Sequence, residues 1–458
     1  MTERRRHPAA LMLMLAVAFL LTQSGTSVRM NSPERSDRTA VNALDPAATP
    51  PAAPPPGLSP WGVPAAGPTL APGEPSTPRS TPAGSSPRIV RPADPLNVRT
   101  LAEEALGQGQ DAYLGDTSRY AYVALNDYEF GRVPAIHAAQ PMTKVIAYAE
   151  TQTEGSSSCT DDRHPSWGVS FCYANQYHPE WFLLTASGQR ARYHDNGFYM
   201  MDMGSSSYQH AWVHNEIATV KRDGFDGVLM DDVNLSPGHG VSGTLAKYTD
   251  SQYRAAVQAF VATVGPTLKA AGLIVSANVG ASNPWDGAAL AESERLARSL
   301  SIYNHEFWMR YQAGTGLFTA DAWLTSIRMQ EGIEATGTAW TAVMYGDALD
   351  TAAMRYARAS FLLAWNGSAA SALTYRPDPD LVDPFNENWA TSLGTPTGPR
   401  YQQGIGWTRQ FTHGQVVVNP SAGRSQTFTL GSAHRTPDGS VVTSVTLGPG
   451  SGLVLPIA

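Results

Sequence analysis

The stretch that decides the fold is Gly224-Phe-Asp-Gly-Val-Leu-Met-Asp-Asp-Val233. A Gly-containing turn feeds the short apolar run Gly227–Met230, which ends directly in two acids, Asp231 and Asp232. A continuous apolar run of this length bounded by turn residues reads as a strand buried on both faces, as parallel strands are. Asp226 suits the turn, because a short carboxylate can hydrogen-bond nearby backbone N–H groups. Successive strand side chains point to opposite faces, so one of Asp231 and Asp232 points along the sheet's functional end and the other away from it. The competing role for the pair is to cap the next loop or helix.

Outward from this strand the same unit recurs. Strand-like runs occur at 120–125, 145–149 and 198–203 before it, and at 273–277, 300–303, 339–344 and 369–375 after it. Amphipathic patterns lie between them at 209–222, 251–271, 288–298, 320–331 and 351–363. In 251–271, Ala255, Val257, Phe260, Val261, Val264 and Leu268 recur at helical spacing. Eight strand–helix units predict an α/β (β/α)8 TIM barrel. An open doubly wound sheet is the alternative, but no Gly-rich phosphate loop follows the first strand. The long connection 151–197 is expected to form a wall beside the site. After Pro396 the pattern changes to short runs split by Gly, Pro and Asn, which predicts a small C-terminal all-β sandwich. The barrel is thus assigned to residues 96–395 and the β-domain to 396–458.

The remaining residues are of another kind. Arg4, Arg5 and Arg6 precede an apolar run from about Ala9 to Leu21 and then small polar residues, the order of a signal peptide over 1–27. Residues 28–95 hold 17 of the 34 prolines and almost no core-forming side chains, the composition of a disordered linker. Together they predict a secreted or cell-surface protein with no transmembrane span in the mature chain. The linker could support cell-wall association. Cys159 and Cys172, the two cysteines of the chain, would then form a disulfide. Residues 101–458 carry 22 basic and 33 acidic side chains. Such a body repels phosphate backbones, so nucleic acid is not an expected partner.

In a barrel, chemistry sits where strands end. The runs here end in Asp202, in Asp231 and Asp232, in Asn278, in Asn304, His305 and Glu306, and in Tyr345. Acids at one mouth, without clustered His or Cys at metal-ligand spacing, suit glycosidic-bond hydrolysis. One carboxyl protonates the leaving oxygen while the other attacks the anomeric carbon or activates water. Glu306, flanked by apolar Phe307 and Trp308, suits the acid, because apolar surroundings disfavour its charged form. A salt bridge to Arg310 is the competing role for Glu306. Asp202, Asp232, Asn278, Asn304 and Tyr345 are expected to position sugar hydroxyls, and Trp308 to offer a stacking face. No cofactor and no metal is expected, although Asp231 with Asp232 could in a different reading hold a hard cation. The partner is a carbohydrate substrate. The alternative function is a non-catalytic glycan-binding or wall-associated protein on a degenerate barrel.

These segments resemble the glycosyl-hydrolase-like family 15 of bacterial, mostly secreted proteins, distinct from the glucoamylase family of the same number. The likeness is carried by YVALNDYE (122–129), KVIAYAET (144–151), HPEWFLLTASGQR (178–190), YMMDMGSSSYQHAW (199–212), GFDGVLMDDV (224–233) and HGQVVVNPSAG (413–423). The resemblance implies a TIM barrel with a C-terminal β-domain and glycosidase activity. The chain is also similar to the wider α-galactosidase-like barrels, whose nucleophile is an Asp ending strand four and whose acid/base ends strand six. On this sequence those roles fall on Asp231 and Glu306. That group commonly uses Asp as acid/base, so Glu306 departs from its pattern.

Overall fold

The computed structural model describes residues 100–103, 120–155, 168–193, 198–238, 241, 243–280, 287–311, 315–347, 350–377 and 391–458. The expected leader and linker, and Cys159 of the expected disulfide, lie outside them. The strands up to the β-domain are β1 Thr100–Glu103, β2 Tyr120–Asn126, β3 Lys144–Glu150, β4 Thr153–Gly155, β5 Arg192–Tyr193 and β6 Phe198–Met200. They continue as β7 Gly227–Asn234, β8 Ile274–Gly280, β9 Ile302–His305, β10 Ala339–Gly346 and β11 Ala372–Pro377. The helices are α1 Val133–Ala139, α2 Phe171–Tyr177, α3 Ser206–Asp223, α4 Asp250–Ala270, α5 Gly287–Ala297, α6 Ala320–Ala335 and α7 Thr351–Ala364. Among the described residues, no helix is long and apolar enough to cross a membrane.

Strands β1-β2-β3-β7-β8-β9-β10-β11 form one sheet in that order, and each adjacent pair is parallel. Its two edge strands approach one another, so the sheet is a nearly closed barrel. Seven of the eight predicted strands are barrel members. The exception is 198–203: β6 pairs antiparallel with β4 and β5 in a small separate sheet. That sheet is part of the wall expected from the long connection, and its run Phe198–Met200 has the apolar content of a barrel strand without its parallel partners. Short β1, within the assigned barrel range but upstream of the first predicted strand, extends the sheet beyond β2.

Local chemistry sets the element ends. The Ser205 hydroxyl caps α3 by accepting from Tyr208 N–H, and Gly224 ends it at φ 80°, a left-handed conformation that costs glycine little. Thr249 and Gln252 form a capping box at α4. Asp226 accepts from the Val145 N–H (2.9 Å), Lys144 Nζ (3.1 Å) and His137 Nε2 (2.8 Å), so it ties the turn before β7 to β3 and α1.

The C-terminal part consists of two antiparallel sheets. One contains β12 Tyr401–Gln403, β13 Gly406–Phe411, β14 Gly414–Asn419 and β17 Ser451–Pro456. The other pairs β15 Gln426–Arg435 with β16 Val441–Leu447. Val416, Val417 and Val418 of β14 are all fully buried. Alternation explains how: Val416 and Val418 join the main core shared with the barrel, whereas Val417 packs with Phe428, Leu430, Leu447 and Leu455. The β-domain is thus packed continuously onto the barrel.

Candidate active site

The two singled-out acids lie on strands separated by one other, in the order β7-β8-β9. Asp231 sits near the end of β7, in register with Glu150 of β3. Glu306 follows β9 directly. Between Met230 and Val233 the β7–β8 register shifts, and Asp232 has φ 50°. A bulge in a left-handed conformation is costly for a non-glycine residue and re-aims the side chains beside it. Here it sends the two adjacent acids to different partners. The Asp232 carboxylate accepts from Asn234 Nδ2 (3.0 Å) and from the Tyr193 hydroxyl of β5. Asp231 lies between Tyr148 of β3 and Asn278 of β8.

Asp231 is held at both oxygens. Its Oδ2 accepts from the Tyr148 hydroxyl at 2.6 Å. Its Oδ1 accepts from Asn278 Nδ2 and from the Asp232 N–H, both at 2.9 Å. Glu306 Oε1 accepts from the Tyr345 hydroxyl at 2.5 Å, and Oε2 accepts from the same Asn278 Nδ2 at 2.9 Å. Burial, then the charge of Asp231, push the Glu306 carboxyl up to about 7, and the Tyr345 and Asn278 bonds only partly oppose this. Burial and the Asp232 charge also raise Asp231, against three hydrogen bonds that pull it down. The expected elevation of Glu306 therefore comes from burial first and then from the charges of Asp231 and Asp232, which lie 75 and 74 residues away in the chain.

Other expected site residues are placed elsewhere. Trp308 is fully buried, donates its indole N–H to the Ala357 carbonyl of α7 and packs edge-on against Trp340, so it has no face open to a sugar. Asn304 is also fully buried and accepts from the Thr341 hydroxyl across the β9–β10 pair. Asp202 is buried in a loop, bound by Lys247 Nζ (2.5 Å), the Tyr248 hydroxyl (2.6 Å) and the Gly204 N–H (3.0 Å). These three side chains serve packing and loop order. Tyr345 is at the site, where it contacts Glu306. Arg310 pairs with Asp350 (3.3 Å), not with Glu306. His305 is pushed down to about 4 by burial and stacks near Trp340, so it is a neutral packing residue. Among the described residues no cluster of three or more His, Cys, Asp or Glu side chains is arranged to hold a metal ion.

A family model described as hypothetical glycosyl hydrolase family 15 matches residues 137–415, which include every strand that bears these acids. The chain belongs to that family. It is a glycoside hydrolase, with a carbohydrate substrate. Among solved structures it is similar to the glycoside hydrolase domain of PelA from Pseudomonas aeruginosa, at 15% identity and a TM-score of 0.39, over 62% of this chain and 95% of that one. It is also similar to a noncanonic maltogenic alpha-amylase, AmyB, from Thermotoga neapolitana, at 12% identity and a TM-score of 0.46, over 79% of this chain and 99% of that one. A search of curated proteins found no match.

Three residues at the site of this member of the hypothetical glycosyl hydrolase family 15 escaped the sequence reading. Tyr148 and Glu150 end β3 two positions apart, hence on one face, and Glu150 is 1% exposed beside Tyr148. That signal is legible in KVIAYAE, where a polar pair at i and i+2 closes an apolar run. Tyr193 comes from the wall and has no local signal.

Proposed function

We propose that the protein is an exported retaining glycosidase that cleaves O-glycosidic bonds of a polysaccharide or oligosaccharide. Asp231 acts as nucleophile and Glu306 as acid/base. The observation that carries this is the shared Asn278 nitrogen. Two carboxyl oxygens, each 2.9 Å from one amide nitrogen, face each other across it. With ~120° between the two amide hydrogens, those oxygens are about 5 Å apart, in the range of retaining pairs and short of the ~6.5–9.5 Å that inversion needs for an intervening water.

The atoms can be assigned. Asp231 Oδ1 already accepts two donors, whereas Oδ2 accepts one, so Oδ2 has the lone pair for attack. In the first step Oδ2 bonds to the anomeric carbon, the bond to the leaving oxygen breaks, and that oxygen takes the Glu306 proton. In the second step a water oxygen attacks the same carbon, its proton goes to Glu306, and the carbon–Oδ2 bond breaks to release Asp231. The elevated Glu306 carboxyl supports the acid role. Tyr148 supports a stable, oriented nucleophile.

Export is supported by the basic-then-apolar order of residues 1–27, and reach from a wall or membrane by the Pro-rich 28–95. The test of the whole reading is Asp231→Asn. Turnover of polysaccharides or aryl glycosides cleaved by the wild type is expected to fall by ~10³-fold or more with an unchanged fold, and NMR of fresh product is expected to show the substrate's anomer. Wild-type turnover in Asp231→Asn, or the opposite anomer, would reject the assignment. Glycan binding by the wild type with no released reducing ends would favour a non-catalytic role.

A further inference from the structure

We infer that Asn278 is the positioning residue of the acid pair: it sets the spacing of Asp231 and Glu306 and decides which Glu306 oxygen carries the proton. This inference rests on the two-carboxyl reading above. The sequence alone points to contact between Asn278 and sugar hydroxyls. The structure gives it different partners.

Three observations support this. First, topology: β8 lies between β7 and β9, so a side chain from β8 at the level of the strand ends can reach both acids. Second, stoichiometry: an amide nitrogen has two hydrogens, and both are used, one on Asp231 Oδ1 and one on Glu306 Oε2. The opposite amide orientation would place an oxygen between two carboxylates with no hydrogen to share, so the nitrogen faces them. Third, charge: the donor is neutral. Glu306 must be protonated in the first step and ionised in the second. A Lys here would hold it ionised, and an Asp would hold it protonated. Asn serves both states.

The proton placement follows from the same chemistry. An amide N–H can only donate, and the carbonyl oxygen of a protonated carboxyl accepts more strongly than its hydroxyl oxygen, so the bond from Asn278 favours Oε2 as the unprotonated oxygen. The proton therefore resides on Oε1. Its neighbour there is the Tyr345 hydroxyl, which can donate or accept and so tolerates either state of Oε1. The other ionisable groups around the pair are Tyr148 and Glu150 on β3, Asp232 on β7 and Tyr193 on β5.

The first arm of the test needs no substrate. Carboxyl carbons of the full chain are followed by ¹³C NMR against pH, with Asp231→Asn and Glu306→Gln assigning the signals. In Asn278→Ala both titrations are expected to move upward by ~1 pH unit, because each carboxylate loses a donor. In Asn278→Asp, which preserves size, the Glu306 titration is expected to rise further, because a third acid replaces the bridge. On an aryl glycoside cleaved by the wild type, Asn278→Ala is expected to lose kcat ~10–100-fold with KM within ~3-fold. Unmoved titrations in both variants, or a raised KM with intact kcat, would overturn the inference and restore the sugar-binding role. Full activity in Asp231→Asn would instead overturn the functional reading, while the titrations would still report whether Asn278 bridges the pair.

Discussion

Burial and neighbouring charge hold the Glu306 carboxyl near 7, and the proposed mechanism makes that shift felt in activity as well as in stability. In the proposed mechanism Glu306 is protonated when the leaving group departs, so kcat/KM is expected to fall as pH rises through about 7. The proposed nucleophile Asp231 acts ionised, so activity is expected to fall again on the acid side, above the usual carboxylate range because Asp231 is also raised. The profile should be a bell, and its two limbs belong to the interacting pair as a unit. Stability follows from the same shift. A Glu whose folded value exceeds its unfolded one stabilises the fold fully below the unfolded value, about 4.5, and the gain is lost as pH rises through about 7. Glu306→Gln removes that ionisation. The variant is expected to unfold at higher temperature than the wild type at pH 8, by up to about 3 kcal/mol of stability, with the difference vanishing near pH 4.5. Calorimetry at the two pH values checks this; equal curves at pH 8 would show that Glu306 ionises there without cost. At this scale the acids themselves were legible as polar residues ending apolar runs. The partners of each acid were not. Asn278 lies 47 residues from Asp231 and 28 from Glu306, and only strand order brings them together.

At the scale of elements, the site depends on two departures from regular backbone. One is the bulge at Asp231 and Asp232. The other follows β9, where Phe307 and Met309 have φ 63° and 60°. Such residues cost of order 1–3 kcal/mol each and persist only where packing holds them. Trp308 between them is that anchor, through its N–H to the Val343 carbonyl (2.7 Å) and its buried ring. Its aromatic character was visible in the sequence, but it serves to hold the Glu306 loop from behind. Strand β7 starts with a close approach: a Cβ on Gly227 would overlap the Ile274 carbonyl oxygen of β8. Backbone cannot move aside as a flexible side chain can. Gly227→Ala is therefore expected to cost about 2 kcal/mol or more in denaturant unfolding and to lower kcat by displacing β7 against β8. An unaltered midpoint would mean that the two strands are looser than the geometry shows. The strand count illustrates what periodicity can read. Phe198–Met200 has a strand's composition and is a strand, yet its partners are antiparallel and outside the barrel. Short β1 was missed because four residues carry too little pattern. Since one was counted in error and the other overlooked, β7 and β9 still stand fourth and sixth along the sheet.

For the whole molecule, the β-domain is a working part of the barrel's outer layer. Arg409 of β13 donates to the Leu363 (2.9 Å) and Trp365 (2.6 Å) carbonyls at the C-terminal end of α7, and its Nε donates to Gly398. A cation there satisfies carbonyls that the helix leaves open and meets the negative end of its dipole. Arg400 forms a bidentate pair with Glu331 of α6 and stacks on Trp407. The Ala320 N–H at the start of α6 donates to the Pro420 carbonyl (2.7 Å). Arg409→Met is expected to lower unfolding stability by about 2–4 kcal/mol, measured by denaturant titration, because several buried carbonyls lose their donor together. A wild-type midpoint in that variant would assign the interface strength to the apolar core alone. The sequence by itself determined where seven of the barrel strands and the longer helices lie, that a β-domain follows, and that acids close two barrel strands. Those features are written in local periodicity and in the residue that ends each run. Only the tertiary structure decided that Asp231 and not Asp232 faces Glu306, that one amide joins them, and that Trp308, Asn304 and Asp202 lie in packing. Each of these depends on register, on a bulge that reverses side-chain direction, and on distances between residues far apart in the chain, and none of the three is carried by local pattern.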